Sequence, residues 1–248
     1  MTDLDGLDEK DRSALDRMVS ELQQQHSDAL LAVLLTGEAA SADYRPAKTR
    51  LTTLVLLGEV TPEALRRTRG SLKAWSKRRI ATPLFMDPLY VESALDVFPI
   101  ELLEIGDRHL LLHGESDPFA DLEIHLPHLR LEVEEQLRGK MLHLWEAYLE
   151  VGASKRELKR LLVESPLGFE VALRGLLRLR QEAGARRPDD SDALLAAVET
   201  EFGVALPTLR RLEAVRGGKG SIAGDEVEPL FDIYLAEVRS LVRTIDGL

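Results

Sequence analysis

Between Leu30 and Val60 the chain reads "LLAVLLTGEAASADYRPAKTRLTTLVLLGEV", and residues able to do chemistry are crowded into its middle. Glu38, Asp43 and Glu59 carry carboxylates, the hard oxygen donors that a divalent cation takes. Lys48 and Arg50 are cations that can hold phosphate directly, the arginine as a planar fork. One short segment therefore offers two chemistries, a metal site built on Glu38, Asp43 or Glu59 and a metal-free phosphate site built on Lys48 and Arg50.

Other candidates are scattered. "RRTRGSLKAWSKRR", Arg66 to Arg79, holds seven basic residues and no acidic one. A local basic face of this kind can hold phosphates, nucleic acid or an acidic partner, or it can be a solvated helix face. His109, His113, His125, His128 and His143 show no His-Glu-x-x-His pattern. In a strand, His109 and His113 would share one side about 13 Å apart, too far to share a metal. "RGGKGSIAG", Arg216 to Gly224, has the glycines of a phosphate loop but lacks a preceding strand and a Lys followed by Ser or Thr. A helix end followed by a loop accounts for it better. Ser41, Ser71 and Ser221 have no triad context.

The elements that must position these residues can be read from periodicity. A first helix is expected from about Glu9 to Asp28, with Leu15, Met18, Val19 and Leu22 at helical spacing. "ALLAVLLTG" and "RLTTLVLLGE" are apolar on both faces, the pattern of buried central strands. Thr61-Pro62 opens a basic helix expected to run to about Arg78, and Asp87-Pro88 opens another. Thr82 to Met86 is a third strand candidate. "PIELLEIGDRHLLLHGE" predicts two β runs around a turn at Gly106-Asp107, for about five strands in all. After His125 the pattern turns helical. Leu129, Val133, Leu137, Met141, Leu144 and Tyr148 form one stripe. A helix from about Ser154 to Ala183 should be kinked or split at Pro166. "GARRPDD" is the expected connection to helices near 190–202, 207–216 and 225–246. The fold class is α+β, a mixed sheet with helices over residues 1–122 followed by an all-α bundle over 123–248.

The order of the first half, helix, strand ending in Thr-Gly, small-residue turn, strand, helix, strand, resembles the nucleotidyltransferase superfamily that includes DNA polymerase beta and the aminoglycoside nucleotidyltransferases. "LLTGEAASADYRPAKTRLTTLVLL", Leu34 to Leu57, carries the resemblance, with "DYRP" at Asp43 to Pro46. It covers about residues 10–115, and the helical half only by architecture. The resemblance implies a turn at Thr36 and Gly37 that holds the nucleotide phosphates. It also implies two metal-binding carboxylates, one residue apart, on the following strand, and a third on a later strand.

This chain departs from that pattern at three positions. Family members have a serine where Glu38 stands, and the paired carboxylates are replaced by Arg50 and Thr52. In such enzymes two Mg²⁺ ions align the triphosphate and the attacking hydroxyl. A unit charge about 4 Å from a divalent ion is worth roughly 8 kcal/mol at an effective dielectric of 20, so Arg50 opposes magnesium binding strongly. An anion at Glu38 would repel a triphosphate. A third carboxylate is sought in Glu101 or Glu104 of "PIELLEI". If the chain is active, Glu38, Asp43, Glu101 and Glu104 are the catalytic candidates, and Mg²⁺ and a nucleoside triphosphate the cofactor and substrate. The reading favoured here is a degenerate member, non-catalytic, that binds a protein partner or associates with itself. Phosphate binding would rest on Thr36, Gly37, Lys48 and Arg50. The alternatives are an active enzyme that moves a nucleoside monophosphate to a hydroxyl, and a nucleic-acid-associated protein using Arg66 to Arg79.

Composition narrows the setting. A net charge of −11 argues against a nucleic-acid sleeve over the whole surface. The absence of cysteine excludes disulfides and thiolate zinc sites and suits a reducing compartment. "MTDLDGLDEKDR" has no apolar core of a secretory signal, and no run reaches the roughly 20 apolar residues of a membrane span. The expectation is a cytoplasmic protein without a membrane segment.

Overall fold

A computed structural model describes residues 6–41, 44–120, 122–166, 168–180, 188 and 190–248. The chain divides into two compact units, Met1–Ile124 and His125–Leu248. It is α+β: a mixed sheet with helices in the first unit, and helices alone among the described residues of the second.

In the first unit, α1 (Glu9–His26) is followed by β1 (Leu30–Thr36), a short 3₁₀ turn at Gly37–Ala40 and β2 (Thr52–Leu57). Then come α2 (Pro62–Arg69), α3 (Leu72–Ser76), β3 (Leu84–Met86), α4 (Pro88–Ala94), α5 (Pro99–Asp107) and β4 (His109–His113). The strand order is β3-β2-β1-β4, so β1 and β2 are central, and only the β2–β3 pair is parallel. Because side chains alternate across a strand, each central strand feeds two cores. Val33, Leu35, Val55 and Leu57 pack with Leu15, Met18, Leu22 and Trp75. On the other face, Ala32, Leu34, Leu54 and Leu56 pack with Met86, Ala94, Leu102 and Phe119. Burial on both faces is why these strands read as continuous apolar runs.

Two helix starts work as their sequences predict. The Thr61 hydroxyl accepts from Ala64 N at 3.1 Å, and the Asp87 carboxylate accepts from Tyr90 N at 2.8 Å. Three expectations are corrected. The hairpin expected around Gly106 is the helix α5 followed by the single strand β4, leaving four strands in the sheet. Pro99 sits in the first turn, and Glu101, Leu102, Leu103 and Glu104 are good helix formers, which outweighs the short apolar pattern. The basic helix is interrupted at Gly70, a poor helix residue, and continues as the five-residue α3. β3 is shorter than expected and begins after Pro83, which cannot donate to a ladder.

His26 closes α1 inside this unit. It is 4% exposed, and its Nε2 lies 2.8 Å from the Thr68 hydroxyl. Burial, with the Arg67 charge as a smaller cause, holds its pKa below the ordinary 6.5. The unfolded chain therefore takes up a proton that the folded state resists. The associated stability is complete above pH 6.5 and lost as pH falls through the lowered folded value. The urea midpoint of this unit, followed by Trp75 fluorescence, is expected to drop from pH 7 to pH 5, and His26→Gln should flatten that slope. An identical slope in the variant would contradict it.

The second unit contains α6 (Leu126–Val151), α7 (Lys155–Glu164), α8 (Phe169–Arg178), α9 (Ser191–Phe202), α10 (Pro207–Arg216) and α11 (Val227–Asp246). Along α6 the buried side chains are Leu129, Val133, Leu137 and Leu144. Opposite them, α11 buries Val227, Leu230, Tyr234, Val238, Leu241 and Ile245. The segment containing Pro166 splits into α7 and α8, and Gly168 enters α8 at φ +82°. Most of the expected "GARRPDD" connection lies outside the described residues. The glycines after Arg216 follow the end of α10, with Gly218 and Gly220 at positive φ.

Candidate functional site

The turn after β1 is where the sequence places phosphate and metal chemistry, and the sheet register determines what meets there. Thr36 at the end of β1 pairs with Thr52 on one side and with His109 on the other. The Thr52 hydroxyl donates to the Thr36 carbonyl at 2.6 Å. Gly37 has φ +67°, and a Cβ built on it would lie 3.2 Å from Thr52 Oγ1. Thr52 is therefore directed at the turn, in the row of the sheet that continues into Leu54 and Leu56. Its hydroxyl closes the sheet end between neutral oxygens. Arg50 lies outside β2, exposed, on the far side of buried Leu51. Lys48, also exposed, precedes it in the loop.

Glu38 is tied into this loop. Its carboxylate accepts from the Thr49 hydroxyl at 3.1 Å, and that hydroxyl accepts from Arg45 N at 2.9 Å. Thr49 is buried, and its carbonyl accepts from Arg79 at 3.0 Å. Arg79, at φ +64°, also pairs with Asp11 of α1. Asp11 is 2% exposed and accepts from the Tyr44 hydroxyl at 2.7 Å. Burial and the Asp11 hydrogen bond push the Tyr44 pKa up, so the phenol stays the donor. The result is a chain of polar contacts, Asp11 to Arg79 to Thr49 to Glu38, that braces residues 44–49 against α1.

The predicted site residues divide accordingly. Thr36, Gly37, Glu38 and Thr52 come together at one end of the sheet, and Lys48 and Arg50 lie on the adjoining loop. Asp43 lies outside the described residues. Glu101 and Glu104 stand on α5, not on a strand as expected, because that segment is helical. Among the described residues no group of three or more His, Asp and Glu side chains is arranged to hold a metal ion. Among the described residues, the donors at the turn are threonine oxygens and one carboxylate already bonded to Thr49. They do not fit the carboxylate-bound Mg²⁺ that the resemblance implies.

Two members of the basic run are engaged by carboxylates. Arg67 pairs with Glu63 at 3.1 Å, and Arg79 is turned toward Asp11. Arg66 and Arg69 edge a cleft of about 420 Å³ whose floor includes Leu72, Pro83 and Phe85. Lys73 and Lys77 are exposed on and just after α3.

His109 is a neighbour of the turn that sequence reasoning set aside. Its Nδ1 lies 2.9 Å from the Ile105 carbonyl and its Nε2 3.0 Å from the Asp117 carboxylate. Asp11 was missed altogether, although a signal was present. It occupies the same helical stripe as Leu15, Met18 and Leu22, and a carboxylate on an apolar stripe demands a partner.

No protein family model matches this chain, and no curated protein matches it in sequence. Among solved structures, the spectinomycin adenyltransferase AAD(9) from Enterococcus faecialis, determined with ATP and spectinomycin, aligns over 92% of this chain and 98% of its own. The identity is 10% and the TM-score 0.41. No helix of the described residues is long and apolar enough to cross a membrane.

Proposed function

We propose that this chain is a nucleotidyltransferase-like protein that has lost its metal-binding carboxylates and works as a non-catalytic binding or assembly protein. The observation that carries this reading is the Thr36–Thr52 pair. Where the resemblance calls for a strand carboxylate, a hydroxyl is bonded to a backbone carbonyl at 2.6 Å. Glu38 supports it, since its carboxylate braces the loop through Thr49. A role in assembly draws support from exposed apolar side chains. The first unit exposes Leu89, Tyr90, Val97 and Phe98; the second exposes Leu131, Leu142 and Leu149.

Thermal unfolding with ATP, GTP, CTP or UTP, each with Mg²⁺ or with EDTA, tests the reading. A ligand at a hundred times its Kd adds about 2.7 kcal/mol, a rise of roughly 5–10 °C for a chain of this size. The expected result is no magnesium-dependent rise. A magnesium-dependent rise of that size would overturn the loss of metal binding. A rise that persists in EDTA and disappears in Lys48→Ala/Arg50→Ala would identify the retained ligand as a nucleotide held without metal. Sedimentation of the purified protein then measures self-association.

A further inference from the structure

From the second unit we infer that the cleft around Lys140 is a binding site for a small aromatic monocarboxylate. The cleft, about 490 Å³, lies between α6 and the α7–α8 corner and is lined by Gln136, His143, Leu144, Leu161 and Ser165, with Lys140 and Phe169 within it. That volume is in the range of small-ligand sites, and so is the mixture of apolar walls with a few polar groups. The Lys140 ammonium stands 5.3 Å from the centre of the Phe169 ring, on its face. No carboxylate pairs with it among the described residues, which is unusual for a half-buried cation. Gly168 makes room for it: a Cβ there would come within 2.9 Å of Nζ, so the amine rests against bare backbone.

This arrangement specifies the ligand. A half-buried cation held over a ring, with no carboxylate bonded to it among the described residues, lacks a counter-charge that a carboxylate on the ligand would supply. Gln136 on α6 and Ser165 at the end of α7 add hydrogen-bonding groups to the lining. Leu144, Leu161 and Phe169 offer contact to a ring rather than to a compact inorganic ion. Glu164 also lines the cleft and is exposed, so a dianion such as phosphate meets repulsion that a monoanion feels less. Burial alone lowers the Lys140 pKa, which agrees with a cation missing its counter-charge.

Benzoate is the probe, with benzyl alcohol and inorganic phosphate as comparisons. Reductive methylation with ¹³C-formaldehyde gives each lysine a resonance, and Lys140→Met identifies the one of interest. Benzoate is expected to shift the Lys140 resonance saturably, with little effect from the other two. On unmodified protein, benzoate should raise the unfolding temperature, and Lys140→Met should weaken binding at least about tenfold, the loss expected for one charge-assisted hydrogen bond. Lys155→Met, at the exposed start of α7 and outside the cleft, should bind as well as the native chain and serves as the control for loss of a lysine elsewhere. The inference fails if benzoate leaves the Lys140 resonance in place, if benzyl alcohol acts as strongly, if phosphate competes equally, or if Lys140→Met binds as well.

Discussion

Asp11→Ala is expected to remove about 3 kcal/mol from the stability of the first unit, a large share of the 5–15 kcal/mol typical of a folded domain. The carboxylate is 2% exposed and receives both the Tyr44 hydroxyl and the Arg79 guanidinium. Breaking a fully buried ion pair costs about 3–5 kcal/mol because the remaining charge loses its partner. The Arg79 side chain is 33% exposed, so water compensates part of that loss, and the lower end applies. Arg79 also holds a left-handed backbone conformation at φ +64°, and Asp11 is one of the two groups to which its guanidinium donates. Tyr44→Phe removes a neutral hydroxyl that donates to Asp11 and accepts from Asp8 N at 3.2 Å, and should cost about 1–2 kcal/mol. The chain's two tryptophans give a clean readout, since Trp75 lies in the first unit and Trp145 in the second. In a Trp145→Phe background, Asp11→Ala should lower the urea midpoint seen by Trp75 by roughly 1.5 M, for a slope of about 2 kcal/mol per molar. Were Asp11→Ala no worse than Tyr44→Phe, the ion pair would not be bracing the loop.

A loss of similar size is expected from Glu237→Ala in the second unit. α10 begins at Leu206-Pro207 with no side chain of its own as a cap. Glu237, on α11 and 7% exposed, supplies it from a distance in sequence. Its two oxygens accept from Thr208 N at 2.8 Å and Leu209 N at 2.9 Å. The positive end of the helix dipole strengthens both bonds. Alanine would leave two buried N–H groups unpaired, at about 3 kcal/mol in total, whereas glutamine keeps one acceptor and should cost about half. Amide hydrogen exchange reads the site directly. The first turn of α10 should exchange on the order of a hundredfold faster in Glu237→Ala, with a smaller change in Glu237→Gln. Unaltered exchange at Thr208 and Leu209 would show that Glu237 does not hold this helix end.

Both predictions concern residues that a reading of neighbours along the chain does not bring together. Local pattern was sufficient for elements whose causes are local. β1 and β2 are apolar on both faces, Thr61-Pro62 and Asp87-Pro88 start helices, and Pro166 divides one. These follow from side-chain alternation, capping hydrogen bonds and the missing proline donor, all within a few residues. The same local reading failed over Pro99–Asp107, where a short apolar run suits strand or helix and the proline start had to decide.

The amino-acid sequence by itself determined the α+β class, the central strands and the presence of Glu38, Arg50 and Thr52 where the resemblance calls for a serine and two carboxylates. Only the tertiary structure decided what those residues do. It turned the Thr52 hydroxyl onto the Thr36 carbonyl and Glu38 onto Thr49. It took Arg79 out of the basic run to meet Asp11, and brought Lys140 over the ring of Phe169. Asp11 and Arg79 are 68 residues apart, and Thr208 and Glu237 are 29. Periodicity reports which face of an element is buried. The partner of a buried polar group is set by the packing of whole elements, and low-dielectric surroundings then make that partnership obligatory.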